Sequence, residues 1–206
     1  MKVFLLTLLL LTQTVIAKDV KELKAYVFTC NDSLEFVASL EDGYAWLFLP
    51  KETLSFKAED SKRCNKFVKD DNFFGIKEQM AYLKLDGKTY HCTNQPKKAV
   101  FEKAKLQGYD FRATGNEPAW SLLIAGDELS YDGDYGQTKY RFKKASIDTN
   151  AQEKYTVYTA DENNHKIIVK LEGKKCSDTM SDDTFETTVT LTIDSKILNG
   201  CGKSLH

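Results

Sequence analysis

Lys77 stands in the stretch Phe73-Phe74-Gly75-Ile76-Lys77-Glu78-Gln79-Met80-Ala81-Tyr82-Leu83, where an aromatic pair leads through a glycine to a cation. Two readings fit these residues. One is a surface loop that presents Lys77 to an anionic partner; the other is the entry to a buried strand. The carboxylates offer less. Asp178, Asp182 and Asp183 crowd the segment after Cys176, and close carboxylates hold cations or shift one another's pKa. A solvated acidic loop has the same composition, so no metal site is assigned. Glu117, in Gly115-Asn116-Glu117-Pro118-Ala119-Trp120, is fixed near Trp120, although a rigid corner that seats the indole explains those residues equally well.

Other chemistries are excluded on spacing. Asp132-Gly133-Asp134-Tyr135-Gly136 opens like a calcium loop, but position twelve is Lys143 where the bidentate glutamate belongs, so it reads as a hairpin turn. His91, His165 and His206 stand apart. There is no nucleophile elbow, phosphate loop or dinucleotide fingerprint. The expectation is a protein with no catalytic residues, no metal and no cofactor. With a net charge of −1 and no basic stripe, it is not expected to bind nucleic acid.

The beginning of the chain has the pattern of a secretory signal peptide. Lys2 precedes the apolar run Val3–Leu11, and Val15-Ile16-Ala17 offers a small-residue cut. The run is too short to span a bilayer, so residues 1–17 read as a removable leader and the mature protein as periplasmic or secreted, with no transmembrane segment. Five cysteines in such a chain point to disulfides. Cys30 and Cys92 each end a strand-like run and Cys176 and Cys201 bracket another strand, so these are the expected pairs, with Cys64 odd in its polar loop.

The elements that must carry these residues are strands. Apolar side chains alternate at Tyr26/Phe28, Leu34/Phe36, Trp46/Phe48, Leu54/Phe56, Ala81/Leu83/Leu85 and Tyr90/Cys92, with turns at Glu41-Asp42-Gly43 and Asp86-Gly87. Thr93–Leu106 lacks alternation and reads as a connector with one or two helical turns. Beyond it, strands are expected at Tyr109–Ala113, Trp120–Ala125, Glu128–Tyr131, Thr138–Lys143, Tyr155–Ala160, Lys166–Glu172, Thr187–Ile193 and Ile197–Cys201. The expected fold is all-β: two small antiparallel barrels or sandwiches in tandem, over 18–105 and 106–206.

Taken together, Tyr26–Cys30, the strand region Leu47–Phe56, Asp60–Cys64, Lys77–Leu83 and Cys92 resemble the membrane-bound or periplasmic inhibitors of c-type lysozyme. That family opens with an aromatic-x-Cys strand and closes with a second Cys. It carries a Ser-Gly-x-x-Tyr loop, then an aromatic pair followed by Lys-Gly-x-x-Ala-x-Leu. Glu78 stands here for the glycine after the lysine, and Asp60-Ser61-Lys62-Arg63-Cys64 for the Ser-Gly loop. The resemblance covers residues 25–92. It implies that Lys77, with Asp60 or Ser61 and the pair Phe73-Phe74, is presented to the two carboxylates of a lysozyme cleft. Residues 109–203 resemble a second group of exported bacterial proteins, through Phe111-x-Ala113-x-Gly115-Asn116-Glu117-Pro118-x-Trp120, Cys176-x-Asp178-x-Met180 and Leu198-x-Gly200-Cys201-Gly202. No mechanism comes with that second likeness.

The leading expectation is therefore an inhibitor whose partner is c-type lysozyme. The rival is an envelope-binding module, in which the second half holds a small apolar ligand or envelope component and the first is a degenerate scaffold. Glu117, Trp120 and Asp178 are the second half's candidate residues.

Overall fold

The computed structural model describes residues 23–59, 65–178, 180 and 183–206. The leader, Asp60, Ser61, Cys64 and Asp182 lie outside them.

Eight antiparallel strands close into a barrel: β1 (Lys24–Cys30), β2 (Glu35–Glu41), β3 (Tyr44–Phe48), β4 (Thr53–Glu59), β5 (Asn65–Lys69), β6 (Asn72–Lys77), β7 (Met80–Leu85) and β8 (Lys88–Asn94). Each strand pairs with the next, and β8 returns to β1 through Cys30 opposite Cys92. The two Asp-Gly turns work as their sequence requires. Asp42 and Gly43 have φ of 47° and 81°, and Asp86 and Gly87 have 49° and 80°, the left-handed pair that suits a two-residue hairpin.

The inside of so small a barrel holds few large side chains. Phe28, Phe36, Phe56 and Phe74 take most of it, each at most 2% exposed. Small partners make the room, with Ala45 opposite Phe56 and Ala38 opposite Leu47. This reverses the parity expected for β3. Ala45 and Leu47 face inward, while Tyr44, Trp46 and Phe48 face out at 41%, 43% and 37% exposure.

The connector is the second correction. It is a three-turn helix, α1 (Pro96–Leu106), rather than one or two turns. Proline at its first position and Lys103 and Lys105 in its last turn suit the two ends. The helix lies against β1, with Ala99 and Ala104 buried. Alanines bury little area, so the apolar stripe is faint in the sequence.

After α1 come β9 (Phe111–Asn116), β10 (Ala119–Ala125), β11 (Glu128–Gly133), β12 (Thr138–Phe142), β13 (Ser146–Asn150), β14 (Tyr155–Glu162), β15 (His165–Glu172), β16 (Cys176–Ser177), β17 (Thr184–Phe185), β18 (Thr187–Ile193) and β19 (Lys196–Ser204). Nine of them form a curled sheet in the order β12-β11-β10-β9-β19-β18-β15-β14-β13, while β16 and β17 pair separately. The all-β expectation holds. No described strand of the barrel pairs with this sheet. Phe111, Trp120, Tyr131 and Phe142 fill its inner side with Leu, Ile and Val.

Candidate functional site

Phe73–Lys77 belongs to β6 and is not a presenting loop. Phe74 is fully buried, its ring 5.9 Å from Phe28 and 6.0 Å from Phe36, so it offers nothing to a partner. Phe73 is half-buried on the outer face, opposite Val68 and Lys84. Lys77 alone of this group is exposed, at the last position of the strand.

The turn after it is tightly held. Lys77 pairs with Met80 across Glu78-Gln79, and Glu78 has φ of 56°. That left-handed conformation favours glycine. The backbone carbonyl of Gln79 accepts from the Asn94 backbone N–H at 2.8 Å, and its side-chain Oε1 accepts from Asn94 Nδ2 at 2.8 Å. The turn is thus pinned to the end of β8.

The connection over 60–64 leaves β4 at Glu59 and returns at Asn65, where Glu59 and Lys66 are register partners and an ion pair at 2.6 Å. Asn65 is opposite Ile76, the neighbour of Lys77. One end of the barrel therefore carries both Lys77 and the two anchors of that connection. An exposed cation at the end of a strand can meet an anionic cleft.

The second-half candidates do not come together as a site. Glu117 is exposed at the β9–β10 turn, where Glu117-Pro118 is cis. Trp120 is 4% exposed on the opposite, inner face. A Cβ on Gly115 or on Gly200 would run into the indole, so both glycines are there for close approach. Asp178 accepts from Asn116 Nδ2 at 2.7 Å and from the Met180 backbone N–H at 2.8 Å. It fixes a surface excursion that the Cys176–Cys201 bridge staples to the outer face of the sheet. Both expected disulfides are present, Cys30–Cys92 and Cys176–Cys201. They fit a chain that folds outside the reducing cytoplasm.

Each histidine has a structural partner: His91 meets the Tyr82 ring edge-on, His165 pairs with Asp194 at 2.9 Å, and His206 lies 3.0 Å from the Tyr109 carbonyl. Among the described residues no group of three or more His, Cys, Asp or Glu could hold a metal ion, and no helix is long and apolar enough to cross a membrane.

Two features escaped the sequence. The outward stripe Tyr44-Trp46-Phe48 was hidden because Tyr44–Phe48 is apolar at every position, so alternation cannot assign its faces. The other is a groove of about 420 Å³ between β2, the β3–β4 connection and α1. Glu35 and Lys98 bridge it at 2.7 Å. The hydrogen bond from Lys98, with its charge and the Thr29 hydroxyl behind it, holds the Glu35 carboxyl below its ordinary value against an opposing effect of partial burial. A signal did exist for the helix wall: Pro96 followed by alanines and lysines is a helix start.

No family model, curated protein or solved structure matches the chain.

Proposed function

We propose that the barrel of residues 24–94 is an inhibitor of c-type lysozyme that acts outside the cytoplasm. It docks by the end that carries Lys77 and the 60–64 connection. The observation that carries this reading is the position of Lys77: exposed, at a two-residue turn pinned by Asn94, beside the return of that connection at Asn65. The motif of the resembling family supports it. That family has glycine after its lysine, and Glu78, at the same place here, has the positive φ that favours glycine.

In the proposed complex the Lys77 ammonium meets the two cleft carboxylates. At about 4 Å such a contact is worth up to about 4 kcal/mol before desolvation of the ammonium is subtracted. The barrel supplies rigidity, because closure leaves no edge strand to fray. That limits the ordering cost of docking.

The second half gives the rival reading less to work with. Its Trp120 is in the core rather than on a binding face. Two openings against the curled sheet, about 310 and 240 Å³, mix apolar side chains such as Phe111 and Leu171, or Ile193 and Leu198, with hydroxyl and charged ones.

The test is direct. Leader-free protein is titrated into c-type lysozyme acting on a cell-wall suspension. Saturable loss of lytic activity near one-to-one stoichiometry is the expected result. Unchanged lysis at a large excess of the protein overturns the reading.

A further inference from the structure

We infer that the outer face of β3, together with the groove it runs into, binds a neutral, extended oligosaccharide. Tyr44, Trp46 and Phe48 occupy alternate positions of one strand and are each about two-fifths exposed. At ~3.4 Å per residue they form a row about 14 Å long. Exposed aromatic surface gathered in one row marks an interaction site more often than scattered single residues do.

The neighbours of the row select the ligand. Tyr44 lies between Glu41 and Lys57, Trp46 between Ser55 and Ser39, the latter only 4% exposed, and Phe48 between Thr53 and Val37. The rings are thus flanked by the hydroxyls of Ser55 and Thr53 and by one opposed pair of charges. These polar groups can meet the hydroxyl edges of a β-linked pyranose chain while its apolar C–H faces stack on the rings. The row also continues into the groove at Phe48, where Leu49 and Pro50 form one wall and Lys98, Glu102 and Lys203 the other. Its two basic residues there are matched by Glu35 and Glu102. With no surplus of positive charge, the groove does not favour a phosphate polymer or an anionic lipid surface. An extended peptide is also disfavoured. Strand β3 is paired on both sides, with β2 and β4, so it has no free edge for strand addition. What remains is recognition by ring stacking and hydroxyl hydrogen bonds.

The protein reports on this site by itself. It has two tryptophans, and Trp120 is 4% exposed against 43% for Trp46, so the Trp46 indole N–H resonance is the sensitive one. The full leader-free chain is titrated with hexamers of β-1,4-linked N-acetylglucosamine and of β-1,4-linked glucose. Saturable movement of the Trp46 resonance, with Trp120 unmoved, is expected for at least one of them. Trp46→Ala should weaken binding at least tenfold, measured by calorimetry, and Trp46→Phe should retain most of it. Lys77→Ala should leave it unchanged, which separates this site from the lysozyme-docking end. Circular dichroism checks that each variant folds. No response to either hexamer at millimolar concentration overturns the inference, as does binding indifferent to Trp46→Ala. A Trp46 response only to phosphatidylglycerol vesicles, or a monomer–dimer shift abolished by Trp46→Ala without sugar binding, overturns it in favour of a lipid surface or a second copy of the chain.

Discussion

Cys30 and Cys92 face each other across the pairing of β1 with β8, the seam at which the barrel closes, with Cα atoms 3.8 Å apart. The bridge joins residues 62 apart in sequence and locks the least local strand pair of the barrel. Constraining a loop of that length contributes about 4 kcal/mol in the chain-entropy model. The double variant Cys30→Ala/Cys92→Ala should lose about that much in urea denaturation, and the barrel should open first along β1–β8 in hydrogen exchange. Uniform exchange with an unchanged midpoint would show that the seam is held by its ladder alone.

Lys77 should dominate inhibition. Truncating one partner of a desolvated charge pair costs about 2–5 kcal/mol, so Lys77→Ala should weaken inhibition roughly thirtyfold or more. Lys69→Ala is the control, because Lys69 ends β5 at the opposite end of the barrel, paired with Asn72. Equal inhibition by the two variants removes Lys77 from the mechanism.

Glu78→Gly should stabilise the protein by about 1 kcal/mol, since it relieves a side chain held in the left-handed region. It should keep inhibition intact. A lower midpoint in thermal unfolding would mean that the Glu78 side chain makes a contact worth more than the strain.

Phe101 of α1 packs on the second sheet as well as following the barrel. Its ring lies 4.8 Å from the Lys203 ammonium, 5.7 Å from the Arg112 guanidinium and 5.8 Å from the Phe185 ring. The division at residues 105 and 106 therefore cuts the second half from its own helix contact. A fragment of residues 95–206 should unfold at higher urea than one of residues 106–206. In the whole chain Phe101→Ala should cost about 2 kcal/mol. Equal fragment stabilities would show that the aromatic contact contributes nothing.

Acid should loosen the helix from the barrel. The Glu35 carboxyl is held below its ordinary value of 4.5, first by the hydrogen bond from Lys98. A depressed folded value means that the pair's contribution is present above the unfolded value and is lost as pH falls through the folded one. Protection of α1 amides should therefore drop below about pH 4.5 in the wild type. Glu35→Gln should remove that pH dependence while leaving the helix equally weak at neutral pH.

Much of this architecture was legible because small antiparallel strands announce themselves by alternation and by their turns. Thr187–Ile193 and the Asp-Gly hairpins are cases in point. The misses have a common physical root: they occur where alternation carries no information. Tyr44–Phe48 is apolar throughout, and a barrel that already holds five buried phenylalanines takes the smaller Ala45 and Leu47 inside and leaves the larger rings outside. Asn65–Lys69 buries one large side chain, Phe67, and Ser146–Asn150 is polar enough to pass for loop. Phe73–Lys77 looked like a loop because Gly75 and the doubled aromatic mask the inward pair Phe74 and Ile76. The disulfides were legible from strand ends. The clustering of Lys77 with the 60–64 anchors was not, because it depends on the register of β5 against β6.

The order of strands in the second sheet has a consequence for how its chain could be rewired. Its first and last strands, β9 and β19, lie side by side, and Leu205 donates its backbone N–H to the Asp110 carbonyl at 2.8 Å. Its two edges, β12 and β13, are consecutive in sequence and joined only by residues 143–145. A circular permutant, with residue 206 linked to residue 109 and new ends opened between Phe142 and Ser146, would preserve every ladder of the nine strands. The sheet is a ring in its connectivity although it is open in its hydrogen bonding.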